Sequence, residues 1–189
     1  MIDATLNLKI CGITDPGTAR YCADSGAGAV GVVFYENSPR NVSVARARDI
    51  FGHLPDHVAR VGVFVDMSAE DMVRIARDVP LDTVQMHGSE TASVIDAVMR
   101  AGLHVVKVLK TSGEKLVEEA CGIPQAAGIL VECGKGMLPG GNGIVWDWKG
   151  AAVLAGMRPF AVAGGLTPGN LRRAALCSMA DAWDVSSGV

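Results

Sequence analysis

Several features that mark large protein classes are missing from this chain. None of its five cysteines (Cys11, Cys22, Cys121, Cys133, Cys177) stands in a Cys-x-x-Cys pair, so neither a disulfide framework nor a zinc site is expected. No uninterrupted apolar run approaches the ~18 residues of a membrane span. The opening MIDATLNLKI lacks the basic start and apolar stretch of a secretory leader. Basic charge is not in excess: 17 Lys and Arg against 20 Asp and Glu leave a net −3. That balance is unlike the basic footprint of a nucleic-acid binder. No charge block or Ser/Pro-rich linker divides the chain. These absences predict one domain over residues 1–189, cytoplasmic, without a metal, a nucleic-acid partner or a membrane partner.

What is present is a core-forming composition, 49% hydrophobic, punctuated by 23 glycines. Eight short apolar runs have a strand's length: 6–11, 29–34, 59–65, 83–87, 104–109, 128–132, 160–164 and 182–185. Between them lie helix-length segments with start signals. Thr14-Asp15-Pro16 opens the first, Ser43 the second, and Ser68 with Asp71 the third, over 69–78. Ser89 precedes 90–100, the segments 114–121 and 147–155 follow, and Thr167-Pro168 opens 168–178. Strands alternating with helices demand parallel pairing. Eight of them favour an α/β fold of the (β/α)8 TIM barrel type over an open sheet. Cys11-Gly12-Ile13-Thr14 does not supply the Gly-x-Gly-x-x-Gly that a dinucleotide-binding sheet wants after its first strand.

Polar groups recur at the C-terminal ends of those strands. Side chains two apart share a face, so Lys9 goes with Cys11 and Gln85 with His87. Glu132 ends an otherwise apolar strand, and Asp184 sits between Trp183 and Val185. Barrel active sites assemble at this end. Cys11 has Lys9 on its face and a helix start just beyond, which predicts a thiol acidified below its ordinary value. Glu132 is expected to be desolvated and suited to acid work; the bland alternative pairs it with Lys9 or Lys107. Glycine-bearing segments after the sixth, seventh and eighth strands, at 139–143, 163–166 and 186–188, predict an anion site built on backbone N–H groups.

Six motifs carry a family resemblance. They are Lys9-Ile10-Cys11-Gly12-Ile13-Thr14, Phe34-Tyr35 with Ser38-Pro39-Arg40, Val84-Gln85-Met86-His87-Gly88, Leu138-Pro139-Gly140-Gly141-Asn142-Gly143, Ala163-Gly164-Gly165-Leu166-Thr167-Pro168 and Asp184-Val185-Ser186-Ser187-Gly188-Val189. In this order they resemble the phosphoribosylanthranilate isomerases, (β/α)8 barrels of tryptophan biosynthesis. The resemblance implies an Amadori rearrangement of N-(5′-phosphoribosyl)anthranilate without cofactor or metal. It implies Cys11 as general base and Glu132 as general acid. Arg40 would meet the anthranilate carboxylate, and Lys9, Gln85, His87 and Asp184 complete the substrate side. The phosphate would lie on Gly141, Asn142, Gly143, Gly164, Gly165, Ser186, Ser187 and Gly188.

Three positions, in two motifs, depart from the family pattern. The usual acid is aspartate, and the residue eight before Gly140 is Glu132; the Gly-Gly-Thr-Gly motif is Gly140-Gly141-Asn142-Gly143, followed by Ile144 where lysine is usual. The family also continues past the position of Val189 into a final helix, so the barrel as given is expected to lack that cover. The expected partner is a small phosphorylated substrate, with the chain monomeric or homodimeric. The departures leave two further readings: a diverged isomerase of another phosphorylated amino-sugar or aldose, and a non-catalytic binding barrel.

Overall fold

A computed structural model describes residues 8–111, 115–133 and 143–189. Eight parallel strands close on themselves in chain order: β1 (Leu8–Cys11), β2 (Ala29–Phe34), β3 (Ala59–Phe64), β4 (Thr83–Met86), β5 (His104–Thr111), β6 (Gly128–Cys133), β7 (Phe160–Ala163) and β8 (Ala182–Val185). The expected α/β barrel is therefore what forms. The seam pairs β1 with β8 through Leu8–Trp183, Lys9–Asp184 and Ile10–Val185.

Among the described residues six α-helices and one 3-10 helix surround the sheet: α1 (Pro16–Asp24), α2 (Val44–Gly52), α3 (Ala69–Asp78), α4 (Ala92–Arg100), α5 (Leu116–Cys121), the 3-10 helix Trp148–Leu154, and α6 (Leu171–Ser178). Ser43 and Ser68 cap α2 and α3 as their positions suggest, accepting the N–H of Arg46 and Asp71. At α1 the cap is Asp15, whose carboxylate takes the Thr18 N–H. Two helices start later than the sequence signals. Ser89 does not open α4; the extended residue at its cap position is Thr91, while Ser89 gives its N–H to Asp66 Oδ1 at 2.6 Å. The segment after Thr167-Pro168 is first a turn, in which Asn170 accepts from Thr167 N–H and donates to Gly165 O. Among the described residues no helix is long and apolar enough to cross a membrane.

Strand alternation sorts the core into two layers. The large one lies between sheet and helices and includes Val30, Val32, Ile50, Phe51, Met72 and Ile95, all essentially inaccessible. Each such side chain contributes about 1.5–3 kcal/mol when buried. The small one fills the barrel itself with Val108, Leu130 and Ala163, joined by Val106 and Ala161. Above that apolar plug the interior positions turn polar, and there the site begins.

Candidate active site

The strand ends predicted from the sequence converge on one pocket at the C-terminal mouth. Its walls take Cys11 from β1, Gln85 and His87 from and just beyond β4, Glu132 from β6 and Asp184 from β8. Arg40 enters from the β2–α2 connection. Its stem crosses Gly12, where φ is +81° and any Cβ would strike Arg40 Cδ. Only glycine serves at that crossing.

The rim beside β7 and β8 is glycine- and serine-lined, with Gly143, Gly164, Gly165, Ser186 and Ser187 all facing the pocket. Gly164 and Gly165 have φ of +89° and +64°, and a Cβ at Gly165 would run into the Ile144–Val145 backbone. Left-handed backbone of this kind turns N–H groups toward a common anion. Gly141 and Asn142, also expected in this cradle, lie outside the described residues. Two expected members do not reach the wall. Gly188 packs against the Leu166 carbonyl, and Lys9 lies beside the pocket rather than lining it.

Lys9 instead pairs with Asp184, Nζ to Oδ2 at 2.7 Å, both side chains well buried. Gly31 on β2 makes room for it, since a Cβ there would come within 2.9 Å of Lys9 Cε and 3.1 Å of Cys11 Sγ. Ammonium and thiol therefore share the space that a larger residue would fill. Burial opposes the lysine charge, but Asp184 and Cys11 outweigh it and hold Lys9 above its ordinary value. Cys11 corrects the sequence expectation of an acidified thiol. Burial pushes it up; Lys9 pulls it down without prevailing, and the Asp184 and Glu132 carboxylates add to the rise. The thiol opens partly to the pocket, yet packed protein surrounds it.

Glu132 pairs with neither lysine. Its Oε2 lies 2.7 Å from His87 Nε2, and both side chains are more than nine-tenths buried. One proton occupies that line, and either atom can carry it. Asp184 lines the pocket, and its Oδ1 is buried with no hydrogen-bond partner among the described residues. The sequence reading missed the apolar lining of Val33, Val63, Val65 and Leu166. The period of two that selects Gln85 and His87 also selects Val61 and Val63 on β3 and Val65 just beyond it. Tyr35 and Ser38, also lining, belong to the motif quoted for Arg40. The arrangement sets a carboxyl on one side, a thiol on another and glycine-rich backbone at the rim. That set suits proton transfer on a phosphorylated ligand.

A family model described as N-(5′-phosphoribosyl)anthranilate (PRA) isomerase matches residues 8–189. An N-(5′-phosphoribosyl)anthranilate isomerase of Rubrobacter xylanophilus is 43% identical over 167 residues, covering 88% of this chain and 81% of that protein. The crystal structure of phosphoribosyl anthranilate isomerase from Thermotoga maritima superposes with a TM-score of 0.89 at 36% identity, over 97% of this chain and 89% of that one. A further isomerase crystal structure, in complex with reduced 1-(o-carboxyphenylamino)-1-deoxyribulose 5-phosphate, gives a TM-score of 0.83 at 34% identity, over 97% and 88%.

Proposed function

The chain belongs to the N-(5′-phosphoribosyl)anthranilate isomerase family, and from that premise we propose how its own residues perform the reaction. The activity is an intramolecular oxidoreduction of tryptophan biosynthesis, aldose to ketose. Glu132 gives a proton to the ribose ring oxygen, the C1′–O bond breaks, and the anilino nitrogen lone pair forms a C1′=N iminium. The Cys11 thiolate then removes the C2′ proton. The released electron pair forms C1′=C2′ and neutralises the iminium, so no electron carrier is required. The resulting enolamine loses its C2′ hydroxyl proton and gains one at C1′, leaving the ketone.

One observation supports the reading above others: Cys11 and Glu132 face the same pocket from β1 and β6, with the glycine rim of β7 and β8 beside them. The 5′-phosphate is assigned to the N–H groups of Gly143, Gly164, Gly165 and Ser187, and on the resemblance to Gly141, Asn142, Ser186 and Gly188. Arg40 takes the anthranilate carboxylate as a bidentate partner. Gln85 and His87 line the sugar side, and the unpartnered Asp184 Oδ1 accepts a ribose hydroxyl. Residues 1–189 are read as one cytoplasmic barrel domain, with a small phosphorylated substrate and no nucleic-acid or membrane partner. It acts as a monomer or homodimer; one similar structure is described as monomers made from a dimeric isomerase of Thermotoga maritima.

Loss of phosphoribosylanthranilate fluorescence tests the assignment. Cys11→Ala is expected to abolish nearly all turnover, by about 10²-fold or more, with an unchanged circular dichroism spectrum. Glu132→Gln keeps the shape and removes the transferable proton, so kcat falls by a similar factor with KM retained. Glu132→Asp retains the reaction. Turnover of either Cys11→Ala or Glu132→Gln within a few-fold of wild type removes that residue from its role.

A further inference from the structure

One buried ion pair has no part in this chemistry. Lys107 on β5 and Glu90 in the β4–α4 connection meet at 3.0 Å, Nζ to Oε2, with side chains only 6% and 2% exposed. Two charges so far from water persist only where further hydrogen bonds satisfy what the pair leaves over. Here they are satisfied in full. Lys107 donates to Gly88 O at 2.7 Å and Val108 O at 3.1 Å, and reaches Met86 O at 3.4 Å. Glu90 accepts the N–H of Gly88 at 3.0 Å and of Asp66 at 2.9 Å. Asp66, at φ +51°, accepts the Ser89 N–H, and a Cβ at Gly88 would collide with its carboxylate.

This network stands behind the pocket wall. Val106 and Val108 face the barrel interior, so Lys107 between them points the other way. What the network encloses is the backbone around His87. The carbonyls on both sides of that residue, Met86 O and Gly88 O, turn to Lys107, and the next N–H goes to Glu90. His87 N–H itself is given to Phe64 O at 2.8 Å. The ring held this way places Nε2 against Glu132 Oε2. A glutamate has one more freely rotating bond than the aspartate of the family pattern, so its carboxyl needs a partner to stay in place.

We propose that Glu90 and Lys107 are positioning residues for the acid: their buried pair locks segment 86–90 so that His87 fixes the Glu132 carboxyl at the pocket wall. The proposal rests on the reading of Glu132 as the acid. A loosened clamp costs turnover chiefly by misplacing the carboxyl, because the glycine rim and Arg40, which carry the substrate's two charged ends, lie outside segment 86–90. Misplacement by an ångström is worth about 10–10²-fold.

The test is a cycle of four proteins: wild type, Glu90→Gln, His87→Ala and the double variant, each assayed for kcat and KM and melted in parallel. Glu90→Gln is expected to lower kcat about tenfold or more with KM within about twofold. In the His87→Ala background it adds less than twofold, because the element it acts through is gone. Equal losses in both backgrounds, or a raised KM with kcat kept, overturn the proposal. If Glu90→Gln does not fold, Glu90→Gln/Lys107→Gln, which removes both buried charges together, takes its place in the cycle. A second readout needs no catalysis: the long-range 1H–15N resonances of the His87 ring shift in Glu90→Gln. An unmoved ring spectrum overturns the clamp, whereas near-wild-type turnover of Glu132→Gln with a shifted spectrum overturns only the acid reading beneath it.

Discussion

The base role proposed for Cys11 needs its anion, which burial disfavours, and one neighbouring side chain favours it. The groups around the sulfur are Lys9 on its own strand, Asp184 on β8 and Glu132 on β6; Gly31 on β2 contributes only space. Two of the three charged neighbours oppose the thiolate, as does burial, and Lys9 alone favours it. Lys9→Met therefore raises the thiol further. The ascending limb of kcat/KM against pH moves to higher pH, and turnover at neutral pH falls. Alkylation of Cys11 by iodoacetamide, followed on its own peptide by mass spectrometry, moves with it because the thiolate is the reacting species. An unmoved limb in both measurements would mean that Lys9 serves Asp184 alone. Because the thiol of the unsubstituted protein already lies above its ordinary value, wild-type activity is expected to climb through the mildly alkaline range.

At the scale of elements, the loops after β7 and β8 are the proposed phosphate site, and their backbone geometry carries the next prediction. Gly165→Val forces a β-branched residue into φ +64° and into the Ile144–Val145 backbone. The rim must shift, so KM rises by about tenfold or more and inorganic phosphate competes less well, while circular dichroism stays that of the barrel. A variant with wild-type KM would place the phosphate elsewhere. Strand residues were easy to read in the sequence where one period of two brings polar groups together at the mouth: Lys9 with Cys11, and Gln85 with His87. The helix caps at Ser43 and Ser68 were readable for the same local reason. Partners across strands were not. Whether Glu132 meets Lys9, Lys107 or His87 depends on register and on which side of β5 the lysine leaves, and neither is local. The Ser89 N–H bond to Asp66 in the neighbouring connection is non-local in the same way. Burial of Cys11 is likewise a property of the closed barrel, which is why its neighbour Lys9 pointed the sequence reading in the wrong direction.

For the whole molecule, the seam between the first and last strands is where chemistry and closure coincide. Lys9 and Asp184 are register partners across it and ion partners at 2.7 Å, so the pair that serves the pocket also ties residue 9 to residue 184. Asp184→Ala strands the Lys9 ammonium in the barrel without its counter-ion, a loss of about 3–5 kcal/mol for a buried pair broken on one side. Adding Lys9→Met removes the stranded charge, so the double variant is expected to unfold at higher urea than Asp184→Ala alone. If the double variant is instead the less stable, the two residues stabilise the barrel independently and the seam does not depend on their pairing. The pH dependence follows from the lysine. Its value in the folded chain is raised above the ordinary 10.5, so the ammonium's contribution is complete below 10.5 and fades only as pH climbs through the raised value. The seam is thus intact throughout the range in which Cys11 begins to ionise. Urea midpoints that differ between wild type and Lys9→Met by a constant amount from neutral to mildly alkaline pH would agree with this, provided Cys11→Ala is built into both to silence the thiol.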